Sequence, residues 1–226
     1  MMTTPTYNYR RFTPEEYEFA EFTGLSAGDR FVDAELQTLD GGTARISDFL
    51  DKPLVLETGS MTCPMYAQSA APMQDMVTRF PELNFVVLYV REAHPGERTP
   101  QHTSQTAKVD TAIRSRSRHH EGRVTLVDTL DGAAHKAYGA MPNSIFVIDT
   151  DGTVLYRSIW NNTDKIGDIL ASISARVPVA PQELKAKPPL NFKAITVLLS
   201  GGFVATFDFL WGLRKLIAKH VKVGNM

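Results

Sequence analysis

The sequence predicts an α/β fold in which a central mixed sheet is flanked by helices. Apolar runs of strand length occur at 53–58 and 84–90, and each is followed by a segment that has apolar or amphipathic helical spacing. Asp-Gly turns separate shorter strands before and after this pair. At 226 residues the chain has room for one domain and an appendage. Its 43% hydrophobic and 22% charged residues exclude global disorder.

The remaining elements follow from local signals. Asp40-Gly41-Gly42 predicts a hairpin between strands at 31–37 and 44–46. Pro64 predicts the start of a helix, because proline is favoured in a first turn where its missing N–H would have no partner. The other predicted elements are a basic helix at 104–118, a strand at 124–127, a short helix at 133–138, a hairpin at 144–149 and 153–157, and an amphipathic helix at about 163–177 capped by Asn162 or Thr163.

Charge divides the chain into an acidic body and a basic tail. Residues 185–226 contain seven Lys or Arg and a single acid, Asp208, whereas the whole chain has a net charge of -1. Four prolines at 178, 181, 188 and 189 mark the boundary as a linker. We therefore expect an N-terminal extension at 1–30, a domain at 31–180 and a helical extension at 181–226. The balanced charge argues against nucleic-acid binding, and the lack of an early apolar run predicts a cytoplasmic protein.

The order strand-helix-strand, then a hairpin and a closing helix, is that of a thioredoxin-like fold. Right-handed crossovers make the strands at 53–58 and 84–90 parallel, so their carboxyl ends lie at the same edge of the sheet. Ligand chemistry in open α/β sheets gathers at that edge. Cys63 follows the first of these strands, and Glu92 and His94 follow the second. We therefore expect these three side chains to converge.

These residue types predict thiol chemistry. A cysteine at a helix N-terminus is expected to have a lowered pKa, because the dipole and free N–H groups favour the thiolate. Glu92 and His94 are two residues apart and are expected to point to the same side, where the carboxylate can orient an imidazole that transfers a proton. Cys63 is the only cysteine, which excludes an intramolecular disulfide or a CxxC pair.

Three segments resemble the iodothyronine deiodinase family. They are GSMTCP at 59–64, YVREAHP at 89–95 and YGAMP at 138–142. The resemblance covers about 31–177 and implies a thioredoxin-like fold. It also implies that Cys63 occupies the position of the nucleophilic selenocysteine, that Glu92 and His94 form a proton relay, that Ser60, Thr62 and Pro64 support the nucleophile, and that Pro142 is a cis-proline facing it. Met61 replaces a second thiol that is common in the family, and Asn143-Ser144 replaces a usual Glu-Arg.

Three functions remain open. The first is a thiol-dependent oxidoreductase that removes halogen from a small iodinated aromatic substrate and is restored by an external thiol, with no bound cofactor. The second is peroxide reduction by a single cysteine, for which Ser60 fits the usual pattern but Leu56 occupies the proline position. The third is a non-enzymatic module that docks through its tail.

The tail itself has three alternative interpretations. Residues 194–213 have about the length of a membrane span, but Asp208 and Gly201-Gly202 interrupt it. The tail either packs on the body or on a dimer mate, lies on an anionic membrane surface, or spans the membrane. We expect a homodimer or membrane-surface contact through 190–219. His119-His120-Glu121 is expected to be a solvated helix end, and no motif for a metal or a nucleotide is found.

Overall fold

The computed structural model describes residues 7–17, 23–184 and 193–222. Within them, eight strands form one mixed sheet in the order β2-β1-β5-β4-β3-β6-β7-β8. The strands are β1 (Glu35–Thr38), β2 (Thr43–Arg45), β3 (Leu54–Gly59), β4 (Asn84–Tyr89), β5 (Val124–Val127), β6 (Ile145–Ile148), β7 (Val154–Ser158) and β8 (Gln182–Leu184). The α-helices are α1 (Pro64–Arg79), α2 (Gln105–His119), α3 (Ala133–Ala137), α4 (Thr163–Ser174), α5 (Lys193–Gly201) and α6 (Phe203–Lys222).

The centre of the sheet is the parallel pair β3 and β4, with Gly59 opposite Tyr89 at its carboxyl edge. β5 continues the parallel arrangement beside β4, and β6 pairs antiparallel with β3. All of β3 and nearly all of β4 are buried, because helices or loops cover both faces. This arrangement confirms that the chain segments after β3 and β4 leave the sheet at the same edge.

Two apolar cores lie on opposite faces of the sheet. One contains Leu54, Leu56 and Leu88, together with Tyr138 directly after α3. The other contains Val55 together with side chains of α1 and α4, including Met73, Ile166 and Leu170. Alternate residues of a strand point to opposite faces, so adjacent residues of β3 serve different cores.

Most predicted elements are present, with shifts of a few residues at their ends. Ser104 and Asn162 cap α2 and α4 through side chains that accept hydrogen bonds from the backbone three residues later. The expected linker contains β8, which pairs in parallel with β7 at the edge of the sheet. Nothing in the local pattern predicts this strand, because its pairing partner lies 24 or more residues earlier.

The tail is a pair of helices that break at Gly202, where the backbone has φ 111°. α5 packs against α1, and α6 packs against the short 3-10 helix at Pro14–Glu16. Leu198 and Ala205 are fully buried by this packing. None of the helices in the described ranges combines the length and the apolar character that a membrane span needs.

Candidate functional site

Cys63 lies at the carboxyl edge of the sheet, as the N-cap of α1. Its N–H donates to the Ser60 carbonyl at 3.2 Å, and its Sγ accepts a hydrogen bond from Tyr66 N at 3.5 Å. Pro64 is the first residue of the helix, as predicted. Ser60 is fully buried, and its hydroxyl accepts from Ala93 N at 3.2 Å. Ser60 and Cys63 therefore hold the turn after β3 against the segment after β4.

The thiol itself is enclosed, with only 1% of Cys63 exposed. Burial raises the pKa of Cys63 to about 12, and the nearby Glu57 and Glu92 carboxylates add to the rise. Backbone donors of Tyr66 and Met65 oppose it but are weaker. The expected lowering of this pKa is therefore wrong for the enclosed conformation, because loss of water outweighs the helix N-terminus.

Thr62 connects the two segments that were predicted to carry the catalytic residues. Its N–H and its hydroxyl both donate to Glu92 Oε2, at 2.9 and 2.6 Å. The same hydroxyl accepts from His94 N at 3.0 Å. All three residues are buried. The turn that carries Cys63 is thus joined directly to Glu92 and to the backbone of His94.

Glu92 is an anion surrounded by donors. Its Oε1 accepts from the Tyr89 hydroxyl and lies 3.4 Å from His102 Nε2. Burial alone would raise the pKa of Glu92, but contacts with His102, Thr62 and Tyr89 outweigh burial and hold it below its usual value. The carboxylate is therefore stabilised as a charged group inside the protein.

The His94 ring lies apart from this carboxylate. It packs between Phe12, at a centroid distance of 4.3 Å, and Phe209, at 5.3 Å. Its Nδ1 has no hydrogen-bond partner among the described residues, and no described hydrogen bond joins its ring to Glu92. Burial lowers the pKa of His94 to about 3, so the ring is neutral. Glu92 and His94 share the predicted edge, but Glu92 approaches His102 instead of His94.

Two residues of this cluster, Tyr89 and His102, were not predicted. Tyr89 ends β4 and falls within an apolar run, where it is indistinguishable from a core side chain. His102 lies in a loop ten residues after Glu92, and no periodic pattern connects the two. Only the path of the loop between β4 and α2 brings His102 to the carboxylate.

A second buried network lies next to the thiol. Glu57 Oε2 accepts from Arg123 at 2.6 Å, while its Oε1 accepts from Ser69 at 2.6 Å and from Asn143 and Asn161 at 2.8 Å. Arg123 also forms a two-point ion pair with Glu121. Glu57, a carboxylate within the apolar run at 53–58, could have predicted this network, because a buried charge needs a partner.

The expected solvated helix end at His119-His120-Glu121 is present at His120, the exposed C-cap of α2, but is wrong for Glu121. Glu121 is 3% exposed and pairs with Arg123, and the Tyr66 hydroxyl also donates to it at 3.1 Å. His119 Nε2 lies 3.1 Å from the Met61 carbonyl. The chain turns inward after α2 because Arg123, at the entrance to β5, needs these carboxylates. Among the described residues, no group of three or more His, Cys, Asp or Glu is arranged to hold a metal ion.

The N-terminal segment at 7–17 covers the same edge. The Tyr9 hydroxyl donates to the Ala93 carbonyl at 2.8 Å and lies 2.9 Å from the Tyr17 hydroxyl. The Arg91 guanidinium lies over the rings of Tyr7, Tyr9 and Tyr17, at distances between 4.8 and 5.2 Å. Such cation–π contacts hold the segment against the loop that contains Glu92.

α6 completes the cover. Phe12 and Phe209 enclose the His94 ring from the two sides described above, and Arg11 forms an ion pair with Asp208 of α6. Arg11 Nε donates to Asp208 Oδ2 at 2.9 Å. The N-terminal segment and α6 thus form one layer over the predicted site, and this layer encloses the His94 ring.

Pro142 does not have the peptide-bond conformation that the family resemblance implies. No peptide bond in the described residues is cis, so the expected cis-proline at 142 is wrong. The chain instead reverses through positive φ values at Gly139 (89°) and Ala140 (54°). The Met141 carbonyl then accepts from Thr58 Oγ1 at 3.0 Å and lies 2.8 Å from His135 Nε2. These contacts place the Met141–Pro142 segment beside the end of β3.

Comparison with known proteins identifies relatives of this architecture. The model of the iodothyronine deiodinase family matches residues 19–161. The thyroxine 5-deiodinase of Rattus norvegicus is 31% identical over 125 residues, which cover 50% of this chain and 40% of the rat protein. The match thus spans less than half the length of that relative.

Solved structures support the fold. A Chlorobium tepidum protein assigned as the thiol:disulfide interchange protein DsbE matches with a TM-score of 0.54 and 18% identity, over 69% of this chain and 100% of that chain. Peroxidoxin BcpB of Mycobacterium tuberculosis matches with a TM-score of 0.52 and 21% identity, over 68% of this chain and 99% of that chain. These matches confirm the predicted thioredoxin-like fold. Because the family match covers more than half of the sequence and includes Cys63, Glu92 and His94, this chain belongs to the iodothyronine deiodinase family.

Proposed function

We propose that this chain is a thiol-dependent oxidoreductase that removes iodine from a small aromatic substrate, with Cys63 as the nucleophile. The observation that carries the proposal is the buried Thr62 hydroxyl, which joins the Cys63 turn to Glu92 and to the His94 backbone. A structural cysteine would need no such connection to a charged carboxylate. Family membership supports the same chemistry.

The proposed reaction balances with an external thiol as reductant. The Cys63 thiolate attacks iodine, so an S–I bond forms, the aryl C–I bond breaks and the aryl carbon takes up a proton. One thiol then displaces iodide to give a mixed disulfide with Cys63. A second thiol releases Cys63 and leaves as the disulfide of the reductant. One aryl iodide and two thiols become one arene, one disulfide and hydrogen iodide.

The residues around Cys63 suit distinct parts of this scheme. His94 supplies the proton once water has reached and protonated its ring, since its Nδ1 is not committed to another group. Glu92 acts as a positioning residue, because it holds Thr62 and is itself held by Tyr89 and His102. The reaction as proposed uses no bound cofactor. Its partners are the small-molecule substrate and the thiol reductant.

Reaction requires the covering layer to move, because a substrate cannot reach a thiol that is 1% exposed. Burial is the largest cause of both the raised pKa of Cys63 and the lowered pKa of His94. Entry of water would therefore lower the first and raise the second. Displacement of the segment at 7–17 is expected to produce a thiolate and a protonatable imidazole at the same time.

Iodide release tests the proposal. Purified protein with dithiothreitol is expected to release iodide from an iodinated tyrosine or thyronine, and Cys63→Ser to release none. Glu92→Gln is expected to lower kcat by about tenfold or more, because Thr62 loses a charged acceptor. Glu35→Gln, at an exposed carboxylate of β1, is the matched control and should leave the rate unchanged. Absence of iodide from every iodinated tyrosine and thyronine would overturn the proposal.

A second assay distinguishes peroxide reduction by the same thiol from the removal of iodine. Treatment with equimolar hydrogen peroxide followed by mass spectrometry would then show one added oxygen on Cys63, removed again by thiol. We expect no such oxidation in the enclosed protein, since burial raises the pKa of this thiol and the Glu57 and Glu92 carboxylates add to the rise. Rapid oxidation without iodide release would favour the peroxide reaction.

A further inference from the structure

α6 has an outward face that is largely apolar, with the exposed Arg214 within it. Trp211 is 81% exposed and Phe203 is 71% exposed. The large exposed apolar side chains of this helix are Phe203, Phe207, Leu210, Trp211, Ile217 and Val221. Their spacing places them on one side of the helix, as a stripe about 27 Å long at 1.5 Å per residue. We call this set the α6 stripe. Exposed apolar surface of this extent marks an interaction site.

The stripe faces outward because the other side of α6 is fixed on the body. Ala205 and Asp208 are buried, and Asp208 is paired with Arg11. Gly212 lies against Pro14, where an added Cβ would approach the ring within 3.0 Å. The helix therefore cannot bury its stripe by rotating without breaking these contacts. A partner that covers the stripe must therefore be something other than the residues against which α6 already packs.

Basic side chains adjoin the stripe, with the exposed acids Glu97 at the start of α6 and Glu15 beside Lys215. An open pocket of about 420 Å³ is lined by Arg98, Arg114 and Arg118, with Thr99, Thr196 and Ser200 as hydroxyl groups and no carboxylate among its lining residues. All three arginines are exposed. The Arg98 guanidinium lies over the Phe203 ring at 5.7 Å, so the pocket adjoins the first residue of the stripe. Further along α6, Arg214 and Lys215 are also exposed.

We propose that the α6 stripe and the arginine pocket together bind the surface of a bilayer that contains anionic phospholipids. Aromatic and aliphatic side chains would enter the interface between headgroups and acyl chains, and the arginines would contact lipid phosphates. This combination of an apolar face with basic residues is typical of helices that lie on membranes. Arginine also matches the geometry of phosphate with two parallel hydrogen bonds.

Charge favours a lipid surface over a second copy of the chain. The only acid in α6 is Asp208, which is buried and already paired. Two α6 stripes packed together would bring Arg214 of each copy to an interface without a carboxylate from either helix. Lipid phosphates supply the missing negative charge. This inference does not depend on the proposed reaction, because it involves none of the groups around Cys63.

Vesicle binding by the full chain tests the proposal. The probes are vesicles of phosphatidylcholine alone and vesicles with added phosphatidylglycerol. Trp211 is exposed and Trp160 is buried, so a blue shift of tryptophan emission on binding reports Trp211. We expect binding at least about tenfold tighter to the anionic vesicles, and weaker with added salt. Cys63→Ser should bind as tightly as the natural chain.

Paired variants separate the two parts of the surface. Phe207→Ser with Trp211→Ser is expected to weaken binding by about tenfold or more in co-sedimentation, because apolar burial is lost. Arg98→Gln with Arg118→Gln should remove most of the preference for anionic vesicles. Val177→Ser, which changes an exposed apolar residue distant in sequence from α6, is the control and should bind normally.

Three results would overturn the proposal. They are no binding to either vesicle, equal binding to both, or loss of binding in the Val177→Ser control as well. Light scattering measures the oligomeric state and so tests whether the stripe binds a second copy of the chain. A dimer that the α6 stripe variants convert to a monomer, without vesicle binding by the natural chain, would assign the stripe to self-association instead.

Discussion

Replacing Thr62 by valine is expected to destabilise the protein far more than the loss of one hydroxyl on the surface would. Valine has nearly the same shape, so the change creates little empty space. It removes the 2.6 Å hydrogen bond to Glu92 and the acceptor that His94 N uses at 3.0 Å. Thr62 is fully buried, so water cannot replace either partner.

The magnitude follows from these two bonds. A hydrogen bond to a charged group contributes about 1.5–3 kcal/mol, and a buried N–H left without an acceptor costs about 1–3 kcal/mol. Both bonds share one hydroxyl, and Glu92 keeps the donor Thr62 N, so the two terms do not simply add. We expect a loss of about 2–4 kcal/mol in the free energy of unfolding.

Urea denaturation at neutral pH measures this loss. Thr62→Ser keeps the hydroxyl and should recover most of the stability. Thr43→Val, at an exposed position of β2, should change stability by less than about 0.5 kcal/mol. A double-mutant cycle with Glu92→Gln then isolates the coupling of Thr62 with the carboxylate. If Thr62→Val were as mild as Thr43→Val, the Thr62 hydroxyl would not be the connection between the two loops.

Other substitutions test neighbouring parts of the molecule. The pKa of His94 is about 3 in the folded protein and about 6.5 unfolded, so its contribution is complete above the unfolded value and is lost as pH falls toward the folded one. His94→Phe should therefore reduce the slope of unfolding free energy against pH by up to about 1.4 kcal/mol per unit between these values, and an unchanged slope would contradict the burial of a neutral ring. Gly59→Ala should cost about 1–3 kcal/mol, because its Cβ would come within 2.4 Å of the Tyr66 ring. Gly167→Ala in α4 should instead stabilise by up to about 1 kcal/mol, because its Cβ would make only an ordinary contact with Met76 Cε at 3.6 Å. Thermal melts that ranked the two variants alike would refute this contrast. Arg123→Met should cost about 3–5 kcal/mol in urea unfolding, since it leaves two buried carboxylates without their cation, and a near-neutral effect would contradict these buried ion pairs.

Much of the architecture follows from local signals in the sequence. The apolar runs at 53–58 and 84–90 are long enough and uninterrupted enough to predict buried parallel strands, and they correspond to β3 and β4. Pro64 marks the start of α1 because its missing N–H has no partner to lose there. From these signals alone, topology places Cys63, Glu92 and His94 at one edge of the sheet, and the structure has them there.

Contacts between distant segments decided what the sequence pattern left open. An irregular loop brings His102 to Glu92, and Glu121 turns inward to Arg123. No periodic pattern in the sequence predicts either contact.

The pKa of Cys63 illustrates the same limit. A helix N-terminus is visible in the sequence and favours the thiolate, but the burial of the thiol is a tertiary property, and the loss of water that it causes is the larger effect. The sequence by itself determined that Cys63, Glu92 and His94 lie at the same edge of the sheet, because the apolar runs before them and the crossover between parallel strands can be recognised without tertiary contacts. Only the tertiary structure decided how they are paired, buried and charged, because those properties depend on what else packs against them.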